Sequence, residues 1–391
     1  ASTDDRELQA AIDCALAADL VAQPDAARAA AMFDAALRQL AASSASNPTS
    51  HAACLNQRAM RGFESGALAD SVRDSRAALA AIGTPRPGQR SLVLAIRMNL
   101  AGALARSGDL HGAVASLRQA TDELETVGRG QTLGAATFHN NLGVLLSHAG
   151  DMQAALTATD RAIALWRGSA SDPTAPLLRN RADLLLMLGR TREAVDHAER
   201  AAMLALRRGD RRTWAYGIAT FNHCPAGQGM RCGRRLVEAR QALTGLLPPE
   251  HPIFAVLEAT AADIALQLGR PAEAHATLQR ALQLFDRASA PHHRRITAAA
   301  TMARSELALG HVDAAAAHAE AALAQARALT RGFAHSAWTG MALAARGQVQ
   351  HAKGDTEAAQ ASWRAALAEL SPTLGDGAPA TLEVRRWLDG P

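Results

Sequence analysis

A glycine-marked helical hairpin recurs about every 42 residues along this chain, and this recurrence constrains the fold more than any other feature. The clearest copy, residues 138–166, reads FHNNLGVLLSHAGDMQAALTATDRAIALW. Apolar residues recur at helical spacing on both sides of Gly150, which tolerates a left-handed backbone, and Asp151 can cap the second helix. One hairpin cannot bury its own apolar face. Neighbouring copies must therefore stack on one another.

Equivalent turns mark the other copies of the hairpin. They are expected at Pro24, Gly66, Gly108, Gly150, Gly189, Gly269, Gly310 and Gly354. The interval between Gly189 and Gly269 is about twice the usual one, so a degenerate repeat is expected inside it, with its turn near Arg234. The chain then contains about nine hairpins.

Small residues occupy two fixed places in the repeat, five positions after the turn and seven before it. They are Ala29, Ser71, Ala113, Ala155, Ala194, Ala274, Ala315 and Ala359 after the turn, and Ala59, Ala101, Gly143, Ala182, Ala262, Ala303 and Gly347 before it. Small side chains at both places let the two helices of a hairpin cross closely. With abundant alanine and only 3% aromatic residues, the sequence predicts an all-α fold, a right-handed superhelical solenoid of about nine hairpins.

The segment 221–235, FNHCPAGQGMRCGRR, interrupts the helical pattern. Its proline and glycines are typical of a loop. The sequence therefore predicts N-terminal repeats at 1–220, an irregular cysteine-containing loop at 221–235, and C-terminal repeats at 236–391.

The pattern N-N-L-G, then G-D, then alanine resembles the tetratricopeptide repeat. The spacing near 42 is longer than that family's usual unit of about 34 residues, and is similar to the long-helix repeats of kinesin light chains and many bacterial regulators. The resemblance covers nearly the whole chain. It implies a protein or peptide as the partner, bound along an extended surface, and no catalytic role for this chain.

Amide side chains recur nine residues before four successive turns, at Gln57, Asn99, Asn141 and Asn180. The resemblance implies that this position faces a concave groove, where an amide can donate to and accept from the backbone of an extended peptide. These four residues are therefore the candidate peptide-binding site. The alternative is that the amides tie one helix to the next.

The cysteines form two groups. Cys14 and Cys54 lie at nearly equivalent places in adjacent hairpins, while Cys224 and Cys232 flank a Pro/Gly loop that could close on itself. Two disulfides and an oxidising compartment are the interpretation that follows. Four reduced cysteines are one alternative, and a zinc site using His223, Cys224 and Cys232 is another, although no fourth ligand stands nearby.

The C-terminal tail resembles that of repeat regions attached to bacterial serine/threonine kinases, in Leu374-Gly375, Thr381-Leu382 and Trp387-Leu388. The loop LPPEHP at 247–252 resembles the loop before a repeat in the long-helix proteins named above. Together with the disulfides and a start at Ala1, the resemblance of the tail implies the extracytoplasmic, periplasmic sensor region of a bacterial membrane signalling protein. Any anchor would lie outside this chain. A cytoplasmic scaffold or transcription-regulator domain is the alternative.

Other function classes find little support in the residues. The 41 basic and 37 acidic side chains nearly cancel, and no basic run is interleaved with aromatic residues, so nucleic acid is not an expected partner. No apolar run is long enough to insert into a membrane. No nucleophile with a base, phosphate loop or metal-ligand spacing appears, so we expect no enzyme activity, cofactor or metal.

Overall fold

The protein is described here by a computed structural model in which residues 3–19, 26–43, 48–168, 173–220, 229–287 and 293–390 can be described. Those residues form helices and no strand, which confirms the predicted all-α fold. No helix among them is long and apolar enough to cross a membrane. The helices cluster into two compact units, Ala1–Val127 and Gly128–Pro391.

The first unit consists of three helical hairpins. Its helices are α1 (Thr3–Asp19), α2 (Ala26–Ser43), α3 (Pro48–Ser65), α4 (Leu68–Ile82), α5 (Arg90–Ser107) and α6 (Leu110–Thr126), with one 3-10 turn at Pro87–Gln89. Each odd-numbered helix packs against the helix that follows it, and α3 also packs against α1 and α5.

The second unit consists, in its described residues, of six hairpins and a final helix. Its helices are α7 (Leu133–Ala149), α8 (Met152–Gly168), α9 (Ala175–Met187), α10 (Thr191–Arg207), α11 (Arg211–Thr220), α12 (Gly229–Leu243), α13 (Pro252–Gln267), α14 (Pro271–Arg287), α15 (His293–Ala308), α16 (Val312–Leu329), α17 (Ala337–Ala352), α18 (Thr356–Leu374) and α19 (Pro379–Asp389). The predicted count of about nine hairpins is therefore confirmed for the part of the chain that is described.

The predicted turn glycines adopt the left-handed backbone conformation expected at the end of a helix. All seven, from Gly66 to Gly354, have a positive φ, between 71° and 92°. At Gly150 (φ 88°) the turn is followed by Asp151, whose Oδ1 accepts a hydrogen bond of 3.0 Å from the backbone N–H of Ala154. This is the cap expected from the sequence. Pro24, the first predicted turn, lies outside the described residues.

The small residues of the repeat mark the helix crossings. Each of them is buried, in both of the predicted places. A Cβ atom added at Gly143 would lie 2.5 Å from Oγ1 of Thr159 and 3.1 Å from the carbonyl oxygen of Ala155, so α7 and α8 cross closely there. The sequence periodicity therefore located the packing contacts within the hairpins correctly.

The degenerate repeat differs from the expectation. Arg234 lies inside α12, so the turn predicted near it is wrong, and residues 229–235 of the expected loop are helical. The reason is that Leu236, Ala239 and Leu243 form a buried stripe at helical spacing, and the helix extends back from it. Residues 221–228 lie outside the described part. The preceding helix α11 contacts α12 and α13, which follow, and all three belong to the second unit. The division predicted at 221–235 therefore falls inside that unit.

The second unit closes on itself at a contact between its first hairpin and α17. We define the closure seam as residues 148–150 and 336–338. The Oγ of Ser336 donates to the carbonyl of Ala149 (2.7 Å), the backbone N–H of Ala337 to the carbonyl of Gly150 (3.0 Å), and Nε1 of Trp338 to the carbonyl of His148 (2.9 Å). Residues about 190 apart in sequence are thus joined by three hydrogen bonds.

Candidate functional site

The closed second unit surrounds a cavity of about 300 Å³. Most of its lining comes from the first helix of successive hairpins, α7, α9, α11, α13, α15 and α17. The lining residues are Gly143, Val144, Ser147, His148, Met152, Thr159, Arg179, Asn180, Asp183, Leu184, Met187, Tyr216, His251, Pro252, Ile253, Val256, His293, Arg294 and Trp338. The volume is at the lower end of the range for ligand pockets, and apolar walls with a few convergent polar groups are typical of a binding site.

A polar wall of the cavity is built from α9, α11 and the start of α13. Nη2 of Arg179 donates to Oδ1 of Asn180 (2.7 Å), and the guanidinium lies over the ring of Tyr216, 6.0 Å from its centre. Nδ1 of His251 accepts from the backbone N–H of Ile253 (3.2 Å), while its Nε2 lies 3.2 Å from the hydroxyl oxygen of Tyr216. Neutral His251 therefore carries its hydrogen on Nε2 and donates it to the Tyr216 hydroxyl.

Three aromatic rings stack where the cavity meets the closure seam. The rings of His148 and His293 have centres 4.6 Å apart, and those of His293 and Trp338 are 5.1 Å apart. Burial, and to a smaller extent the positive charge of Arg294, lowers the pKa of His148 to about 4. His148 is therefore neutral at pH 7 and takes part in the stack as an uncharged ring.

The low pKa of His148 makes the stability of the second unit depend on pH. Below pH 6.5 the unfolded chain binds a proton at this residue, whereas the folded chain does so only near pH 4. We therefore expect the free energy of unfolding to fall by roughly 2 to 3 kcal/mol more in the wild-type chain than in His148→Gln between pH 7.5 and pH 4. Urea unfolding followed by circular dichroism measures this difference.

The exposed His351, replaced by Gln, is the matched control for exchanging a histidine of this unit for glutamine. Equal pH dependence in wild type and His148→Gln would show that the folded protein does not hold His148 neutral.

Two of the predicted peptide-binding asparagines lie in the second unit, and they belong to one amide network. Nδ2 of Asn180, which lines the cavity, is 3.4 Å from Oδ1 of Asn140, and Nδ2 of Asn140 is 3.3 Å from Oδ1 of Asn141. Asn180 thus connects α9 to α7 and also faces the cavity. Asn141 is half-buried on α7 and is not among the lining residues.

The other two predicted residues lie in the first unit. Nδ2 of Asn99 on α5 donates to Oδ1 of Asn56 on α3 at 2.9 Å, and Asn56 is buried. Gln57 is half-buried on α3, next to Asn56 in sequence. The Asn99–Asn56 bond fits the alternative interpretation that these amides tie one helix to the next, whereas Gln57 has no such bond among the described residues. These observations leave the role of Gln57 and Asn99 in peptide binding a prediction.

Sequence reasoning missed most of the cavity wall. Arg179 directly precedes Asn180, so its place in the repeat could have marked it as a candidate site residue. Tyr216 belongs to the repeat whose turn was predicted in the wrong place, which hid its position on α11. Trp338 reaches the cavity only because the unit closes on itself, a contact across about 190 residues that no local pattern signals.

One predicted disulfide is present between Cys14 on α1 and Cys54 on α3, with Cα atoms 5.7 Å apart. Cys232 is also disulfide-bonded, while its predicted partner Cys224, like His223 of the alternative zinc site, lies outside the described residues. Among the described residues, no group of three or more histidine, cysteine or carboxylate side chains is arranged to hold a metal ion.

Residues 134–205 match the family described as Tetratricopeptide repeat. No curated protein sequence matches the chain. Among solved structures, NprR in complex with its cognate peptide NprX is similar with a TM-score of 0.57 and 11% identity, covering 80% of this chain and 87% of that one. A Rap protein complexed with competence and sporulation factor has a TM-score of 0.53 and 11% identity, covering 86% and 96%.

A third similar structure is the Rap conjugation gene regulator of the plasmid pLS20 in complex with the Phr* peptide. Its TM-score is 0.52 at 11% identity, and the match covers 86% of this chain and 96% of that one. At such low identity these three likenesses concern the fold alone.

Proposed function

We propose that the second unit of this protein binds a peptide in the cavity formed by its odd-numbered helices. The observation that carries the proposal is the cavity itself, in which apolar side chains alternate with Arg179, Asn180, Tyr216 and His251. Extended peptides are recognised by backbone hydrogen bonds together with pockets for side chains, and this wall offers both kinds of group.

Similar structures support a peptide as the ligand. NprR, a Rap protein and the Rap regulator of pLS20 are complexes with the peptide NprX, competence and sporulation factor and the Phr* peptide, respectively. A fold of this class thus accommodates peptides in three related cases. The cavity of about 300 Å³ suits a short stretch of such a ligand.

The finer proposal is that the chain is the extracytoplasmic ligand-sensing region of a bacterial membrane signalling protein of the serine/threonine kinase kind. The disulfide between Cys14 and Cys54 supports it, because such bonds persist in oxidising compartments and are rare in a reducing cytoplasm. Peptide binding would then report the presence of a ligand in the cell envelope. Isolation of the protein from its native cells in the presence of a thiol-blocking reagent tests this proposal, and labelling of Cys14 and Cys54 would contradict it.

A cavity-filling substitution tests peptide binding. Val144 lines the cavity and is only half-buried, so Val144→Phe adds a ring inside the site without removing a core contact. We expect this change to weaken binding of a fluorescein-labelled random heptapeptide pool by at least tenfold in fluorescence polarisation. Met203→Phe, at a side chain 54% exposed on α10, is the matched control and should bind as the wild type does.

Thermal melting of both variants separates a blocked site from an unfolded chain. If folded Val144→Phe binds the pool as tightly as Met203→Phe does, peptides bind elsewhere on the protein and the proposed site is wrong. If the wild-type chain does not bind the pool, the proposed function itself is wrong.

A further inference from the structure

We propose that the cavity of the second unit selects peptides that place a carboxylate against Arg179, next to an aliphatic side chain. This inference rests on the proposed function and names the chemistry of its ligand. It follows from the hydrogen bonding of Arg179, from the charges around the cavity and from the apolar part of its wall.

One N–H group of the Arg179 guanidinium has no hydrogen-bond acceptor among the described residues. Its Nη2 donates to Asn180, which fixes the guanidinium, but its Nε is buried and has no hydrogen-bond partner among the described residues. A buried polar group left without a partner costs about 1–3 kcal/mol. A carboxylate accepts from guanidinium N–H groups in a planar, often bidentate arrangement, so a ligand carboxylate supplies the missing acceptor when the Arg179 side chain turns its Nε toward the cavity.

The charges around the cavity favour an anion. Two guanidinium groups, those of Arg179 and Arg294, line it together with one carboxylate, that of Asp183. Arg212 adds a third positive charge beside the wall, since its guanidinium lies 5.7 Å from the centre of the Tyr216 ring. Burial and nearby arginines lower the pKa of two of the cavity histidines, His251 and His148. Burial and then Arg212 lower the pKa of His251, as burial and Arg294 do at His148.

One further acid lies close to this charge cluster. Asp263 on α13 accepts a hydrogen bond of 3.0 Å from Thr301, and burial raises the pKa of its carboxyl group. Asp263 is not among the residues that line the cavity. The lining itself therefore keeps an excess of positive charge.

The remaining wall is apolar and determines what must accompany the carboxylate. Val144, Leu184, Met187 and Val256 lie on α7, α9 and α13 around the same cavity. A small inorganic anion leaves these side chains facing water, whereas an aliphatic side chain beside the carboxylate covers them. The ligand class is therefore a peptide with an acidic residue, or a chain terminus, adjacent to an aliphatic residue.

Three labelled heptapeptide pools test the inference on the full chain. The first pool has Leu-Asp at its third and fourth positions and the second has Leu-Asn there; their other positions are random and their termini are blocked. The third pool has the Leu-Asn pair of the second but ends in a leucine with a free C-terminal carboxylate. In fluorescence polarisation we expect the aspartate pool to bind at least tenfold more tightly than the blocked asparagine pool.

Arg179→Gln should abolish this preference, so that the variant binds the aspartate pool and the blocked asparagine pool equally. Arg364→Gln is the matched control, because Arg364 is exposed on α18 and hydrogen-bonds to Gln360. The preference should persist in that variant. If Arg179→Gln fails to fold, the comparison of pools on the wild-type chain still decides the question.

The outcomes separate this inference from the function on which it rests. Tighter binding of the aspartate pool supports recognition of an acidic side chain, and tight binding of the third pool alone supports a terminal carboxylate. Equal affinities for all three pools would overturn the carboxylate inference while peptide binding stands. Absence of binding by every pool, including the fully random one, would overturn the proposed function.

Discussion

Gly150→Ala is expected to lower the free energy of unfolding of the second unit by roughly 3 to 5 kcal/mol, several times the effect of the same change at Gly310. Both glycines follow a helix with a positive φ, 88° and 81°, so alanine strains the backbone equally at both. They differ in their surroundings. A Cβ at Gly150 would lie 2.3 Å from Oγ of Ser336 and 2.9 Å from the backbone nitrogen of Ala337, while nothing lies within 4 Å at Gly310.

The Gly310 variant is therefore the matched control for the closure seam, and it should cost only about 1 to 2 kcal/mol. Urea unfolding measures the difference between the two variants. Hydrogen exchange should also show faster exchange at 336–338 in Gly150→Ala, because the added methyl group separates α17 from the first hairpin. Equal stability losses in the two variants would mean that the second unit is not closed at this contact.

Removal of the Cys14–Cys54 disulfide is expected to destabilise the first unit by about 3 to 4 kcal/mol. The bond joins residues 40 apart, and cross-linking a loop of this length restricts the unfolded chain by about that amount. The double variant Cys14→Ala, Cys54→Ala keeps small apolar side chains at both buried positions. Hydrogen exchange of the full chain measures the loss as faster exchange in α1–α4.

Cys232→Ala is the control for this experiment, because it changes a disulfide-bonded cysteine of the second unit and should leave exchange in α1–α4 unchanged. If the double variant protects α1–α4 as well as the wild type does, the first unit does not depend on the bond. The argument for an oxidising compartment would then lose its structural basis.

The sequence predicted the features of this fold that depend on local spacing. A left-handed glycine such as Gly108 or Gly269 and a buried small residue such as Ala155 or Ala274 each serve one hairpin, and their pattern repeats. The repeat length and the packing contacts within each hairpin can therefore be predicted from the same residues. The exception is α12, where the repeat lacks a turn glycine at the usual place and the helix continues through Arg234.

The candidate site could be predicted only in part. Asn180 was found because its position recurs in the repeat, and it does line the cavity. The Asn180 side chain is held by Arg179 and Asn140, and Asn140 also donates to Asn141. Arg179 and Asn140 each lie one residue before a recurring position, so the repeat pattern did not mark them. The closure that brings Trp338 to His148 depends on the accumulated curvature of six hairpins. Small differences at each helix crossing determine that curvature, and no single stretch of sequence encodes it.

The most direct test of the proposed peptide site is photo-crosslinking of a heptapeptide pool that carries benzoylphenylalanine, followed by mass spectrometry of the labelled chain. The account predicts crosslinks at cavity-lining residues of α7, α9 and α13, such as Val144, Leu184 and Val256, and their loss in Val144→Phe. Crosslinks confined to exposed residues of α10 and α14, or to the first unit, would contradict it.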